Sequence, residues 1–276
     1  MGLRINTNLS SLSAQKQLER NQKRLEHAQM AVGSGKRIIN AADDAAGLAI
    51  SENVRGQVRG IRMAKQNAFN AQSVIQISEG GLNEITNILV RLRELGVQAA
   101  SDTVSEVERE FLDTEAQQLI SEADRIANST KFGNKQLLNG EDNGEMEYHV
   151  GPFAGEENII RATVNADATT STLGVDGISV TDKDSARDTL GAVDEAIKMI
   201  GKIRADFGAV QSRLQATNSN LEIQNENLTA AMSRIADADI AYESAEIASA
   251  QLLHTTAINV LAQANTNGMS ALKLIG

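Results

Sequence analysis

Cysteine is absent from this 276-residue chain, and so is tryptophan. Without cysteine there is no disulfide, no thiolate metal ligand and no cysteine nucleophile. The compartment stays open, because a secreted chain need not be cross-linked. Aromatic bulk is scarce: five Phe and two Tyr are fewer large side chains than a compact α/β enzyme uses to fill its centre. A single proline, Pro152, leaves nearly the whole length free of the strongest helix breaker. Ala, Gln, Asn, Leu, Ile and Glu dominate instead, the composition of long helices that pack closely through small residues.

Long apolar runs are missing as well. No stretch of about 18 apolar residues occurs, so none reads as a membrane-spanning helix. The opening "MGLRINTNLSSLSAQKQLER" lacks the apolar centre of a cleaved secretory signal. A net charge of −10 argues against nucleic acid as the main partner. That charge is unevenly spread: residues 1–65 hold 11 Lys/Arg against 5 Asp/Glu, and the remainder 15 against 31. A basic end of this kind is either a solvated helix or a surface that docks on acidic surface of its own or a sister chain.

What the sequence does have is a seven-residue repeat. Val193, Ile200, Phe207, Leu214, Leu221, Leu228 and Ile235 stand seven apart and all are apolar. Upstream, Val54, Ile61, Ala68, Ile75, Leu82 and Leu89 form a second seam, with Ile50, Ala64, Ala71, Ile85 and Leu92 as partner positions interrupted by Gln57 and Ser78. This spacing predicts two long helices, roughly 44–100 and 186–235, packed as a coiled coil. Leu112, Leu119 and Ile126 predict a third helix over about 104–129 that folds back. The fold class is therefore mainly α: a long antiparallel coiled-coil helix bundle, a small β-hairpin cap and paired terminal helices.

Residues 131–180 break the pattern, with seven glycines and the proline. Met146, Tyr148 and Val150 alternate, as do Ile160, Ala162 and Val164, with "GPFAGEEN" between them. That reads as a β-hairpin near 145–164, followed by a loop with room for one short strand.

Both chain ends are thinly amphipathic. Residues 1–32 carry Leu3, Ile5, Leu9, Leu12, Leu18, Leu25 and Val32; residues 240–275 carry Ile240, Ile247, Leu252, Leu253, Ile258, Leu261, Leu272, Leu274 and Ile275. The first end is basic and the last acidic, which suits antiparallel pairing. A two-helix pair leaves apolar surface over, and that surface calls for a partner.

The stretch "VGSGKRIINAADDAAGLAISE", residues 32–52, tests three chemistries. As a phosphate cradle it fails, because Met30 and Arg37 stand where a glycine and a Ser/Thr are required. Gly33 and Gly35 are expected as helix terminators with positive φ. Asp43 and Asp44 match a helix start, where a carboxylate accepts backbone N–H bonds, better than a metal pair. His27, His149 and His254 fall in separate segments without ligand spacing. No Gly-x-Ser-x-Gly elbow or other nucleophile setting appears. Neither catalysis, metal nor cofactor is expected.

These residues carry a family likeness. "SGKRIINAADDAAGLAISENVRGQVRGI", "QNAFNAQSVIQISEGGLNEITNILVRLRELGVQAAS", "NSTKFGNKQLLNG", "RADFGAVQSRLQATNSNLEIQNENLTAAMSRIADADIAYESAE" and "LAQANTNGMSALKLIG" resemble bacterial flagellins over nearly the whole chain. Only about 20 residues, 165–185, separate the strands from the last long helix, so the resemblance is to a minimal form without variable outer domains. Two departures touch the chain ends: "NTNGMSALKLIG" carries no proline where many members have one, and "MGLRINTN" is slightly extended.

The resemblance implies a structural subunit that self-assembles into the flagellar filament for motility. The rivals are a hook–filament junction protein or a non-flagellar coiled-coil adaptor. Residues 1–43 and 236–276 would form the inner tube layer, and 44–235 a rod-like helical domain. Ile5, Leu9, Leu12, Leu18, Leu25, Ile247, Leu253, Ile258 and Leu261 would make polymer contacts. Gly33, Gly35, Asp43, Asp44 and Gly47 would form the joint between layers, the glycines as its flexible points. Arg91, Leu95 and Glu115 match positions contacted by a vertebrate innate immune receptor. An export chaperone, junction and cap proteins are further implied partners, as are export without a cleaved signal and an extracellular site.

Overall fold

The structure, a computed structural model, describes residues 7–140, 145–163 and 166–273. Five helices carry most of it: α1 (Leu9–Ser34), α2 (Ala45–Ala99), α3 (Glu106–Ser129), α4 (Lys183–Ala236) and α5 (Ile240–Lys273). Short strands stand between α3 and α4: β1 (Lys131–Phe132), β2 (Lys135–Gln136), β3 (Glu145–His149) and β4 (Ile159–Thr163). The chain divides into two compact units, one of residues up to Gln57 with those from Asn227 onward, the other Val58–Glu226.

In the second unit the heptads behave as spaced. Ile61, Ala68, Ile75, Leu82 and Leu89 of α2 are buried, and so are Val193, Ile200, Phe207, Leu214 and Leu221 of α4. Ion pairs fix the direction. Arg93 meets Asp194 at 2.8 Å, Arg204 meets Glu79 at 3.7 Å and Lys65 meets Glu222 at 2.9 Å. Numbers falling in α4 as they rise in α2 make the pair antiparallel. Each exposed pair adds at most about 1 kcal/mol; the leucine seam holds the helices. Ser78, an interruption in the sequence pattern, stays fully buried because its hydroxyl donates to the Val74 carbonyl at 3.0 Å.

α3 folds back on α2 as the repeat requires. A capping box starts it: the Glu108 N–H donates to Ser105 Oγ while the Glu108 carboxylate accepts from the Ser105 N–H. Arg109 then donates to the carbonyls of Ala99 and Ser101, satisfying the end of α2. The face α3 buries is Ala116, Ile120, Ala123 and Ala127, with Leu112, Leu119 and Ile126 half-buried beside it.

β3 and β4 pair antiparallel with Met146 opposite Ala162 and Tyr148 opposite Ile160, the alternation read from sequence. Asn67 of α2 donates to the His149 carbonyl at 3.0 Å. β1 and β2 form a second, two-residue hairpin around Gly133 at φ 62°, unread in the sequence because each strand has too few residues to alternate. Val164 lies outside the described residues. The expected short strand beyond the hairpin is not among the described residues, where Asn139 and Asp167 form only an isolated bridge. Residues 166–182 instead run as a strap, sunk at Ala166, Ala168, Leu173, Val175 and Val180. α3 grips it: Asp113 accepts the Val180 N–H at 2.8 Å, and Gln117 donates to the Ile178 carbonyl at 2.8 Å.

Candidate assembly surfaces and the joint

The terminal helices pair antiparallel. Asn8 Nδ2 donates to the Ala264 carbonyl at 2.9 Å, Ser11 Oγ to Asn265 at 2.8 Å, and Arg24 Nε to Glu246 at 2.9 Å. Asn8 also caps α1, accepting the Ser11 N–H at 3.0 Å.

Small residues make the seam. α1 buries Ser11, Ala14, Ala28 and Ala31; α5 buries Ala250, Ala257 and Ala264, seven apart, with Glu243 a heptad earlier. Alanine is helix-favouring and apolar yet too short to announce a face, so pattern reading passes over this repeat.

The large apolar side chains are left outside. Leu9 and Leu12 are 59% and 51% exposed, Leu252 is 72% exposed, and Leu253, Ile258 and Val260 are also open. Leu18, Leu25, Ile247 and Leu261 are half-buried. Leu3, Ile5, Leu274 and Ile275 lie outside the described residues. An open groove of about 720 Å³ runs along the pair, lined in part by Ala14, Leu253, Ala257 and Val260. Burial of one such leucine is worth roughly 1.5–3 kcal/mol, so the pair carries a strong unspent drive to associate.

The joint is bonded, not loose. Gly35 ends α1 at φ 68°, the left-handed geometry that glycine takes without strain. Its carbonyl accepts the Ala238 N–H at 2.9 Å, and the Arg37 N–H donates to the Ala236 carbonyl at 2.8 Å. Gly33 corrects the expectation: it lies within α1 and takes no positive φ. Gly47 is a correction too. It sits in the first turn of α2, where a Cβ would run into Asp44 and Ile38, so the glycine serves close approach, not flexibility.

The two aspartates divide their work. Asp44 caps α2, accepting the Gly47 N–H at 2.8 Å. Asp43 does not cap: its Oδ2 turns back to accept the N–H groups of Asn40 at 2.8 Å and Ile39 at 3.0 Å, closing the loop. His27 Nε2 stands 3.4 Å from Asp43 Oδ1. The N–H of Asn40 above all, with help from that of Ile39 and the His27 ring, holds the Asp43 carboxyl below its ordinary value.

Arg91 forks between Glu94 and Glu115, at 2.9 and 2.8 Å, on the surface. Leu95 corrects its assignment to the same patch: it is fully buried in the α2 core and is not offered to a partner. Among the described residues no three His, Cys, Asp or Glu cluster to hold a metal ion, and no helix is long and apolar enough to cross a membrane.

Comparison with known proteins agrees in both halves. Residues 5–143 match the bacterial flagellin N-terminal helical region, and residues 190–275 the bacterial flagellin C-terminal helical region. The chain is 38% identical to flagellin FlaB1 of Treponema pallidum, covering 98% of this chain and 99% of that one. It is 38% identical to the flagellar filament 33 kDa core protein of Treponema phagedenis, with the same coverage. The crystal structure of Bacillus cereus flagellin aligns with a TM-score of 0.51 at 28% identity, over 60% of this chain and 94% of that one. Alanine-sealed terminal helices, the joint and the heptad bundle are thus framed by two matched regions that together cover most of the sequence, and the chain belongs to the bacterial flagellin family.

Proposed function

We infer that this chain is the structural subunit of a bacterial flagellar filament, polymerising through the apolar faces of its terminal helix pair. One observation carries the reading: alanines close the pair while Leu9, Leu12, Leu252, Leu253, Ile258 and Val260 stay open. A monomer has no use for such a stripe, and a neighbouring copy does. The contact is heterologous, so it need not close into a ring and can grow without limit. Leu18, Leu25, Ile247 and Leu261 act at the rim of the same face. Gly35, Asp43 and Asp44 close the joint where the chain passes between the inner layer, residues 1–43 and 236–276, and the domain of residues 44–235.

The test is electron microscopy of purified monomer seeded with filament fragments or brought together by a precipitating salt. Long tubes of uniform width support the reading. Short stacks favour the hook–filament junction rival, and a stable dimer with no polymer favours the adaptor.

Export to the cell exterior without a cleaved signal, a chaperone covering the α5 stripe before assembly, and junction and cap proteins at the filament ends complete the reading. The family resemblance supports these, together with the open stripe. Recognition by an innate immune receptor is kept to the Arg91–Glu115 surface. If Arg91→Ala and Glu115→Ala monomers stimulate receptor-bearing cells as well as the unaltered chain, that surface is not the epitope.

A further inference from the structure

The loop between β3 and β4 is built to hold a phenylalanine out in solvent. Gly151 is buried where any Cβ would overlap Asn158. The Val150 N–H donates to the Asn158 carbonyl at 2.7 Å, and the Asn158 N–H to the Gly155 carbonyl at 3.0 Å. Pro152 rests on α2, so close that a Cβ added at Gly60 would stand 3.2 Å from the proline Cβ. Held this way, Phe153 is 56% exposed. The ground around it is acidic. Glu147, Glu156 and Glu157 belong to the same hairpin, where Arg161 reaches Glu147 at 2.9 Å and Glu156 at 2.6 Å.

A complementary surface lies on α2. Arg59, Arg62 and Met63 share one helix face by their spacing, and all three are exposed, Met63 at 62%. Among the described residues neither arginine makes an ion pair. Around the helix from Gly60, Met63 stands about 60° away, Arg59 about 100° and Arg62 about 160°, and all three stay exposed with Pro152 in place. The loop, already seated at Gly60, therefore does not cover this face within its own chain. An aromatic knob on acidic ground and an apolar residue beside two cations left unpaired among the described residues are complementary in chemistry and charge, and they satisfy each other only between two copies.

We propose that Phe153 and Glu157 of one subunit dock on the Arg59–Arg62–Met63 face of a second copy of this chain. The contact is heterologous and so propagates, outside the terminal helix pair. It rests on the self-assembly inferred above.

The absence of cysteine makes the test clean. Phe153→Cys and Met63→Cys chains are mixed in equal parts, polymerised, checked by electron microscopy and oxidised. Because each chain carries one thiol, a disulfide joining the two variants must cross between copies. The expected result is a covalent heterodimer linked 153 to 63, with neither variant alone dimerising to a comparable extent. Filaments that form but yield no heterodimer overturn the contact and leave the filament reading standing. An unaltered chain that forms no filaments overturns both. As a second measurement, Glu157→Arg and Arg62→Glu are each expected to raise the critical concentration about threefold, and the double reversal to recover most of that loss. Additive losses overturn the pairing.

Discussion

The Gly35 carbonyl accepts the Ala238 N–H at 2.9 Å, binding the last turn of α1 to the first residues before α5. The bond depends on Gly35 holding φ 68°, which costs any L side chain about 1–2 kcal/mol. Gly35→Ala is expected to destabilise the terminal pair by that amount while leaving the 58–226 unit intact. Hydrogen exchange resolved by segment checks it: faster exchange in α1 and α5 with α2–α4 unchanged is the expected pattern. Uniform acceleration would count against a local role.

Leu253→Ser separates folding from assembly. The side chain is 45% exposed, and a surface change of this kind usually alters stability by less than about 0.5 kcal/mol. The expected outcome is an unchanged melting temperature with a raised critical concentration for polymerisation. A large drop in melting temperature would show that Leu253 serves the monomer instead.

Removal of residues 241–276 takes away the partner of α1. The 58–226 unit has its own core through Leu82, Leu89, Val193 and Ile200, so the truncated chain is expected to unfold cooperatively by circular dichroism and to form no filaments. Filaments from the truncation would refute the assignment of assembly to the terminal pair.

The joint should loosen in acid. Asp43 has its pKa depressed in the folded state, first by the Asn40 N–H and then by Ile39 and His27. Its contribution is therefore fully present above the ordinary aspartate value of 3.8 and is lost as pH falls through the lower folded value. Asp43→Asn is expected to remove that part of the acid response. Carbon-detected NMR titration of the carboxyl reads it directly; a midpoint at or above 3.8 would sink the idea.

Asn218 lies in the α4 seam with neither amide atom bonded to a partner among the described residues. An unsatisfied buried polar group costs about 1–3 kcal/mol, so Asn218→Leu is expected to raise the urea midpoint of unfolding. A lowered midpoint would mean that the amide is satisfied in solution.

Most of the bundle is legible because its seams use Leu, Ile and Val at heptad spacing, where period and burial coincide. Ala68 and Ala71 can be read only because larger neighbours frame them. Ala250, Ala257 and Ala264 have no such frame, and the louder Leu252, Leu253 and Ile258 draw attention to what is in fact the outward face. Asp43 shows the other limit. Its residue type announces a backbone acceptor, but only the folded loop decides that it serves Asn40 and Ile39 behind it while Asp44 serves Gly47 ahead. Gly33, Gly35 and Gly47 likewise look equivalent as letters, and they differ because a helix interior, a turn and a close contact make different demands. Leu95 stands three residues after Leu92 and four before Ala99, both buried. Its inward place is therefore readable from the seam, and the family likeness masks it.

The alanine seam also has a dimensional consequence. Helices that touch through alanine lie near the lower end of the usual axis separation, about 8 Å. Each alanine therefore sets the spacing of the pair as well as its seal. Enlarging Ala250, Ala257 or Ala264, all buried in the pair, would push the two helices apart along their whole shared length before it unfolded either one.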